Sequence, residues 1–323
     1  MRYVLPWLLL SLAALAQSAP TRIAPDEAAK HLIKKSPAIY PSLAETARIQ
    51  GNVIVEISID NSGSVSSRRL ISGHPLLVPA ALEAVSKWKY QPFEVNGRPA
   101  TVVTVTMVTF GNPSNHDAED RAEMLLQHNF WSAVDSAGLA LGRNNFADAE
   151  EQLNKADALL PQASADRRHV PERWQWLMHM GRVRTGQQKY SDAEQYYQKA
   201  LALRQKDNRD APEVAATLAS LGVLYTEEKQ YVSARDYSNR SIAIYRKNFN
   251  RAGSGNPGAQ QVYGRAVAYQ SSMLSKLASQ KNDPAEVSRY CRTFLEFQNF
   301  VASEDRESLA SACQGASTVT PNH

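Results

Sequence analysis

His74 is the residue most suggestive of chemistry in this chain. It lies in Ser72-Gly73-His74-Pro75-Leu76-Leu77, where a glycine and a proline would hold an imidazole in a tight corner. Acid–base or nucleophilic work needs a second group that exchanges a proton with the ring. No serine, cysteine or carboxylate stands at motif spacing from His74. The stretch therefore reads as a strand-to-helix corner, in which the ring or the backbone helps to cap the helix. The seven histidines are dispersed, and none falls in HExxH or another two-histidine ligand spacing. Gly253–Gly258, GSGNPG, formally satisfies GxGxxG, but it follows a helical pattern and contains Pro257, so it reads as a loop. Two cysteines remain, Cys291 and Cys313. They would form a disulfide pinning the C-terminal segment in an oxidising compartment, or stay as two buried thiols. The expectation is no catalytic centre, no metal and no cofactor.

Hydrophobic residues make up 43% of the 323-residue chain and charged residues 21%, with a formal net charge of +4. Lysine and arginine are scattered among acids, which argues against nucleic acid as a partner. The N-terminus departs from this mixture. Arg2 precedes Val4–Ala16, an apolar run of 13 residues with small side chains at Ala14 and Ala16. A spanning helix needs roughly 20 apolar residues. Residues 1–19 thus read as a secretory signal peptide, and an uncleaved inner-membrane anchor is the other reading.

Val53, Val55, Ile57 and Ile59 alternate with polar residues, broken only by Ile54, as in a half-buried strand. Asp60–Gly63, DNSG, is a turn signal, and VSSRRLIS after it makes a hairpin. Pro75 suits a first helical turn, and Leu77, Ala81, Ala84, Val85 and Trp88 share one helical face. A last strand places Val103, Val105 and Met107 on one face and Val102, Val108 and Phe110 on the other. Both faces are apolar, so the outer one should be covered by a partner or by the rest of the chain. The order is strand, strand, helix, strand, an α+β domain over residues 36–111. A polar linker at 112–125 runs into a helix.

Residues 40–110 resemble the C-terminal domain of TonB, the periplasmic energy transducer of Gram-negative bacteria. The resemblance rests on Tyr40-Pro41, IQGNVIVEISID at 49–60 and Gly63–Val65. It continues through SGHPLL at Ser72–Leu77, AALEAVSKWKYQP ending at Pro92, Asn96–Pro99, and the closing TVVTVTMVTF. It implies that an extended partner segment adds to the edge of the last strand. The contacting backbone would be that of Thr101, Val102, Val103, Thr104, Val105, Thr106, Met107, Val108, Thr109 and Phe110. Where TonB has a spanning N-terminus and a long proline-rich reach, this sequence has a cleavable-looking signal and a short segment without proline-rich reach before the domain.

From residue 126 the pattern is helical. NNFADAEEQLNKADALLP at 144–161, QKYSDAEQYYQKALALRQ at 188–205 and KQYVSARDYSNRSIAIYR at 229–246 repeat an aromatic followed three residues later by alanine. Ala149, Ala193 and Ala234 are 44 and 41 positions apart. This is similar to tetratricopeptide repeats in a longer form of about 42 residues. Gly181 and Leu221-Gly222 mark the preceding helices. Residues 257–280 and 284–300 read as a degenerate fourth pair, and 305–323 as a capping tail. The expected fold is an α+β TonB-like domain followed by an all-α tetratricopeptide solenoid over 126–304. If Trp174 opens a repeat, Gln175, Met178, Arg182 and Thr185 face its groove; simple solvation is the other reading.

The resemblances imply a periplasmic adaptor, binding one envelope protein at the sheet edge and another in the groove. TonB-dependent outer-membrane receptors or motor subunits are the implied partners, and a homodimer is allowed. An anchored energy transducer and an envelope enzyme or enzyme-regulatory subunit are the alternatives.

Overall fold

The computed structural model describes residues 21–111, 117–159, 173–206 and 208–313. The expected signal peptide, the linker residues 112–116 and the tail beyond Cys313 lie outside the described residues. Two compact units emerge, one within 17–140 and 148–172, the other within 141–147 and 173–323.

The first unit is built on a four-stranded sheet in the order β1-β8-β3-β4. Its strands are β1 (Thr21–Arg22), β3 (Gly51–Ile59), β4 (Val65–Ser72) and β8 (Val102–Phe110). β3 and β4 form the expected hairpin, antiparallel from Ile59↔Val65 to Ile54↔Ser72. At its turn the Asp60 carboxylate accepts from the backbone N–H of Ser62 and Ser64. Gly63 there has φ +77, and a Cβ on it would lie 2.0 Å from the Tyr90 carbonyl oxygen, so only glycine fits. Helix α3 (Val78–Ser86) lies on one face, where Leu77, Ala81, Val85 and Trp88 close a core with Val53, Val55, Ile57 and Ile59.

The structure adds elements that sequence alone did not separate. Helix α1 (Pro25–Lys30) and strand β2 (Leu32–Lys34) follow β1, and β2 pairs with the two-residue β5 (Lys89–Tyr90). A short helix α2 (Ser42–Thr46) precedes β3, and β6 (Phe93–Val95) and β7 (Arg98–Ala100) make a second hairpin. These strands are too short to show a period of two. The sheet unit therefore starts well before residue 36. Helix α4 (Asp117–Gly142) supplies Met124 to the second face, against Ile54, Ile71, Val105 and Met107. The outer apolar face of β8 is thus covered by the chain itself. At the start of α4, Glu119 and Arg121 are exposed while Glu123 is buried.

The helical unit continues from the end of α4 and the start of α5 (Phe146–Leu159). It contains α6 (Trp174–Gly186), α7 (Tyr190–Gln205), α8 (Pro212–Glu227), α9 (Tyr231–Ala252), α10 (Pro257–Gln280), α11 (Pro284–Phe297) and α12 (Ser303–Leu309). Asn256 and Asp283 cap α10 and α11 by accepting from the N–H of Ala259 and Glu286. The hinge inside each pair holds a left-handed residue: Gln188, Lys229 and Asn282 have φ of 61, 60 and 52. Lys189 N–H then returns to Arg184 O, and Gln230 N–H to Tyr225 O, which satisfies the last carbonyls of the helices.

Candidate partner-binding edge and helical array

β8 pairs with β3 along its whole length, from Gly51↔Phe110 to Ile59↔Val102. Its other side meets β1, parallel, at Thr21↔Val102 and Arg22↔Val103. The Val103 carbonyl accepts from Ile23 N–H at 2.9 Å. In a strand the main-chain groups of successive residues point to alternate sides. Val105, Met107 and Thr109 therefore share Val103's outward direction, while Thr104, Thr106 and Val108 point their groups at β3. Among the described residues no strand pairs with β8 beyond Val103. The segment expected as an edge, Thr101–Phe110, is thus shortened. Thr101 precedes the strand, Val102–Val103 are taken, and Val105 points outward but is buried at 1% exposure, which leaves Met107 and Thr109 as the accessible outward donors and acceptors.

The opposite edge is less suited to strand addition. β4 is bulged twice against β3 and carries exposed Arg68 and Arg69, devices that discourage pairing.

Beside the β8 edge lies a buried charge cluster that sequence reading missed. Arg22 Nη1 donates to Glu56 Oε2 at 2.8 Å and its Nε to Asp135 Oδ2 at 2.5 Å. Arg69 Nε donates to the other Glu56 oxygen at 3.0 Å. Both guanidinium groups lie over the Trp131 ring, at 5.8 and 5.4 Å from its centroid. Burial pushes the Glu56 carboxyl up, but the Arg69 hydrogen bond and the two arginine charges outweigh it and hold Glu56 below the usual carboxylate range. Asp135 goes the other way, raised by burial more than Arg22 lowers it. Burial, then the Arg22 charge, depresses the nearby His128 imidazole. The only sequence sign was Glu56, a charged residue set between Val55 and Ile57 in the middle of β3.

His74 is exposed and structural. Its Nδ1 accepts from Leu76 N–H at 3.3 Å, and its carbonyl accepts from Leu77 and Val78 N–H. Pro75–Leu77 form a turn, so the helix starts at Val78 and not at Pro75. Trp88 is buried and donates from Nε1 to Ser36 O at 2.9 Å.

In the helical unit, Gly181, Gly222 and Gly264 recur at 41 and 42 positions. A Cβ on Gly181 would lie 2.4 Å from the Tyr197 ring, on Gly222 2.2 Å from Ser238 Oγ, and on Gly264 2.5 Å from the Phe300 ring. Gly181 and Gly222 let their helices seat directly on the helix that follows, and Gly264 lets α10 seat on Phe300, in the turn just past α11. Ala149, Ala193 and Ala234 are fully buried.

Two family descriptions match this geometry. Residues 36–111 match the family described as Gram-negative bacterial TonB protein C-terminal, and residues 175–247 match tetratricopeptide repeat. The chain joins a TonB C-terminal domain to tetratricopeptide repeats. Protein TonB of Vibrio cholerae serotype O1 is 37% identical over 62 residues, 19% of this chain and 25% of that protein. Protein TonB of Klebsiella pneumoniae is 30% identical over 94 residues, 28% of this chain and 36% of that protein. The chain therefore spans about a quarter to a third of the length of these curated relatives. Among solved structures, kinesin light chain nearly identical TPR-like repeats of Podosopora anserina cover 59% of this chain and 97% of that one, at 14% identity and a TM-score of 0.35. BtubC (BKLC) from P. vanneervenii covers 64% and 87%, at 16% identity and a TM-score of 0.32.

Within the tetratricopeptide array the expected groove residues divide. Met178 and Thr185 are buried in helix packing: Met178 Sδ accepts from Thr217 Oγ1, and Thr185 Oγ1 donates to Gly181 O. Gln175 and Arg182 are half-buried. Counting from Trp174 misplaced the groove because Trp174 itself packs on the next pair, donating from Nε1 to Thr217 Oγ1 at 3.0 Å. His179 stands one residue past Met178, its ring nitrogens buried without a partner among the described residues. Burial pushes its pKa down to about 3, which keeps it neutral. Cys291 and Cys313 form a disulfide that ties the segment Ala310–Cys313 to α11. Among the described residues, no helix is long and apolar enough to cross a membrane.

Proposed function

We propose that this protein is a non-enzymatic periplasmic adaptor linked to TonB-type envelope transport. The β8 edge takes an extended segment of one envelope protein, and the tetratricopeptide array takes a second partner. The observation that carries this reading is the accessible outward pair Met107 and Thr109, main-chain groups with no strand on them among the described residues. Strand addition draws affinity from such groups and specificity from alternate side chains. Residues 36–111 and residues 175–247 each match a protein-interaction family, and secretion by residues 1–19 would deliver both to the periplasm.

The test is site-specific photo-crosslinking in native envelopes, with the probe at exposed Thr109 on β8 or at exposed Ser66 on β4. The Thr109 probe is expected to capture an extended segment of an outer-membrane receptor, and Met107→Pro should abolish the product, because proline removes an outward donor. Capture by Ser66 and not Thr109 would refute the edge assignment.

A further inference from the structure

Resting on the same edge reading, we propose that Thr21-Arg22-Ile23 is a resident ligand strand in this slot. A partner enters by exchange, with an extended segment that runs parallel to β8 and brings an arginine or lysine opposite Val103.

The slot reads both faces of whatever lies in it. Ile23 packs into the apolar core on one face. Arg22, adjacent and pointing the other way, enters the charge cluster on the other. The side chains of Arg22, Asp135 and Glu56 are only 8, 8 and 14% exposed, so their charges are settled by one another and not by water. With Arg69 the cluster holds two cations and two anions. Removing Arg22 would leave the Asp135 carboxylate with no cation bonded to it, and an unpaired buried charge is costly. The slot is therefore poorly stable empty, and a segment without a cation is a poor replacement.

The resident strand is also lightly held along its main chain. It pairs through two residues, far fewer than a usual strand. Pro25 favours extended backbone at Ala24, which has φ −59 and ψ 144 and carries the chain out of the slot in an extended conformation. The segment is thus anchored chiefly by one side chain and placed just after the expected signal cleavage. Side-chain anchoring with little main-chain pairing suits a ligand that can be exchanged.

The experiment uses the full mature chain and a fluorescent peptide of its own sequence, Ala-Pro-Thr-Arg-Ile-Ala-Pro. Three chains are compared: wild type, Arg22→Ala and Arg22→Lys. The Arg22→Ala chain should bind this peptide about ten- to hundredfold tighter than it binds the same peptide with alanine for arginine, the range of a hydrogen-bonded charge pair. Wild type and Arg22→Lys should bind the arginine peptide measurably but more weakly than Arg22→Ala does, because their tethered strand competes for the slot. Equal binding of the two peptides, or exclusion by a folded Arg22→Ala chain, overturns the proposal. If Arg22→Ala does not fold, Ile23→Pro serves instead. It removes the bond to Val103 O while keeping Arg22, and should admit the arginine peptide; exclusion there also overturns the proposal. The assay needs no envelope partner. Failure here with intact Thr109 capture would sink exchange alone, and the reverse result would sink the adaptor reading alone.

Discussion

Glu56 is the residue through which the sheet feels its charges, since it accepts from Arg22 and from Arg69 at once. Its folded pKa is depressed, so its contribution is present at neutral pH and lost as pH falls through the folded value. Asp135 has the opposite sign: raised by burial, it takes a proton more readily folded than unfolded, and acid does not penalise its folded form. Glu56→Gln should therefore lower stability by about 1–3 kcal/mol at neutral pH. The gap to wild type should close as the solution is acidified below the carboxylate range. Urea titrations across pH would show this, and a gap independent of pH would speak against it. Gly181 gives a second residue-scale prediction. Gly181→Ala should cost roughly 1–3 kcal/mol, since its Cβ meets the Tyr197 ring. Gly142→Ala, with nothing within 4 Å of the added carbon, should be neutral or mildly stabilising. Matched thermal melts of the two variants separate packing from helix propensity.

At the element scale, what could be read from sequence followed length and period. β3 and β8 are nine residues each, long enough for alternation to show, and the helix pairs repeat closely enough to find each other. β1 has two residues and no pattern to detect, yet it decides how much of the β8 edge is open. The charge cluster was invisible for a related reason. Arg22, Glu56 and Asp135 are separated by 34 and 79 positions and meet only because the sheet and α4 bring them together. Two of the four expected groove residues differ in phase: Trp174 packs onto α8, and Met178 and Thr185 are buried, while Gln175 and Arg182 are half-buried. The C-terminal cap is an element whose strength can be tested. Ser272 Oγ donates to Leu309 O, Tyr269 OH to Asp305, and the Cys291–Cys313 disulfide closes a loop of 22 positions. Loop entropy of that length is worth about 3 kcal/mol. Cys313→Ser should accelerate amide exchange in α11 and α12 well before α6 and α7, because a repeat array loosens from its ends. Uniform acceleration through the whole array would contradict that picture.

At the scale of the whole molecule, the proposed adaptor would use separate units for separate partners. The sheet unit offers main-chain groups at one edge, and the helical unit offers a surface built by repetition. Neither needs a reacting group, and His74, the residue most suggestive of chemistry, serves as a backbone cap. The central claim is that β8 receives an extended segment on its outward side. Residue-resolved hydrogen exchange on the mature chain tests it most directly, alone and then with the partner captured through Thr109. Exchange should be faster at Met107 and Thr109 than at Thr106 and Val108 in the free chain, with new protection at Met107 and Thr109 on binding. Protection confined to the helices, with these two edge amides unchanged, would contradict it.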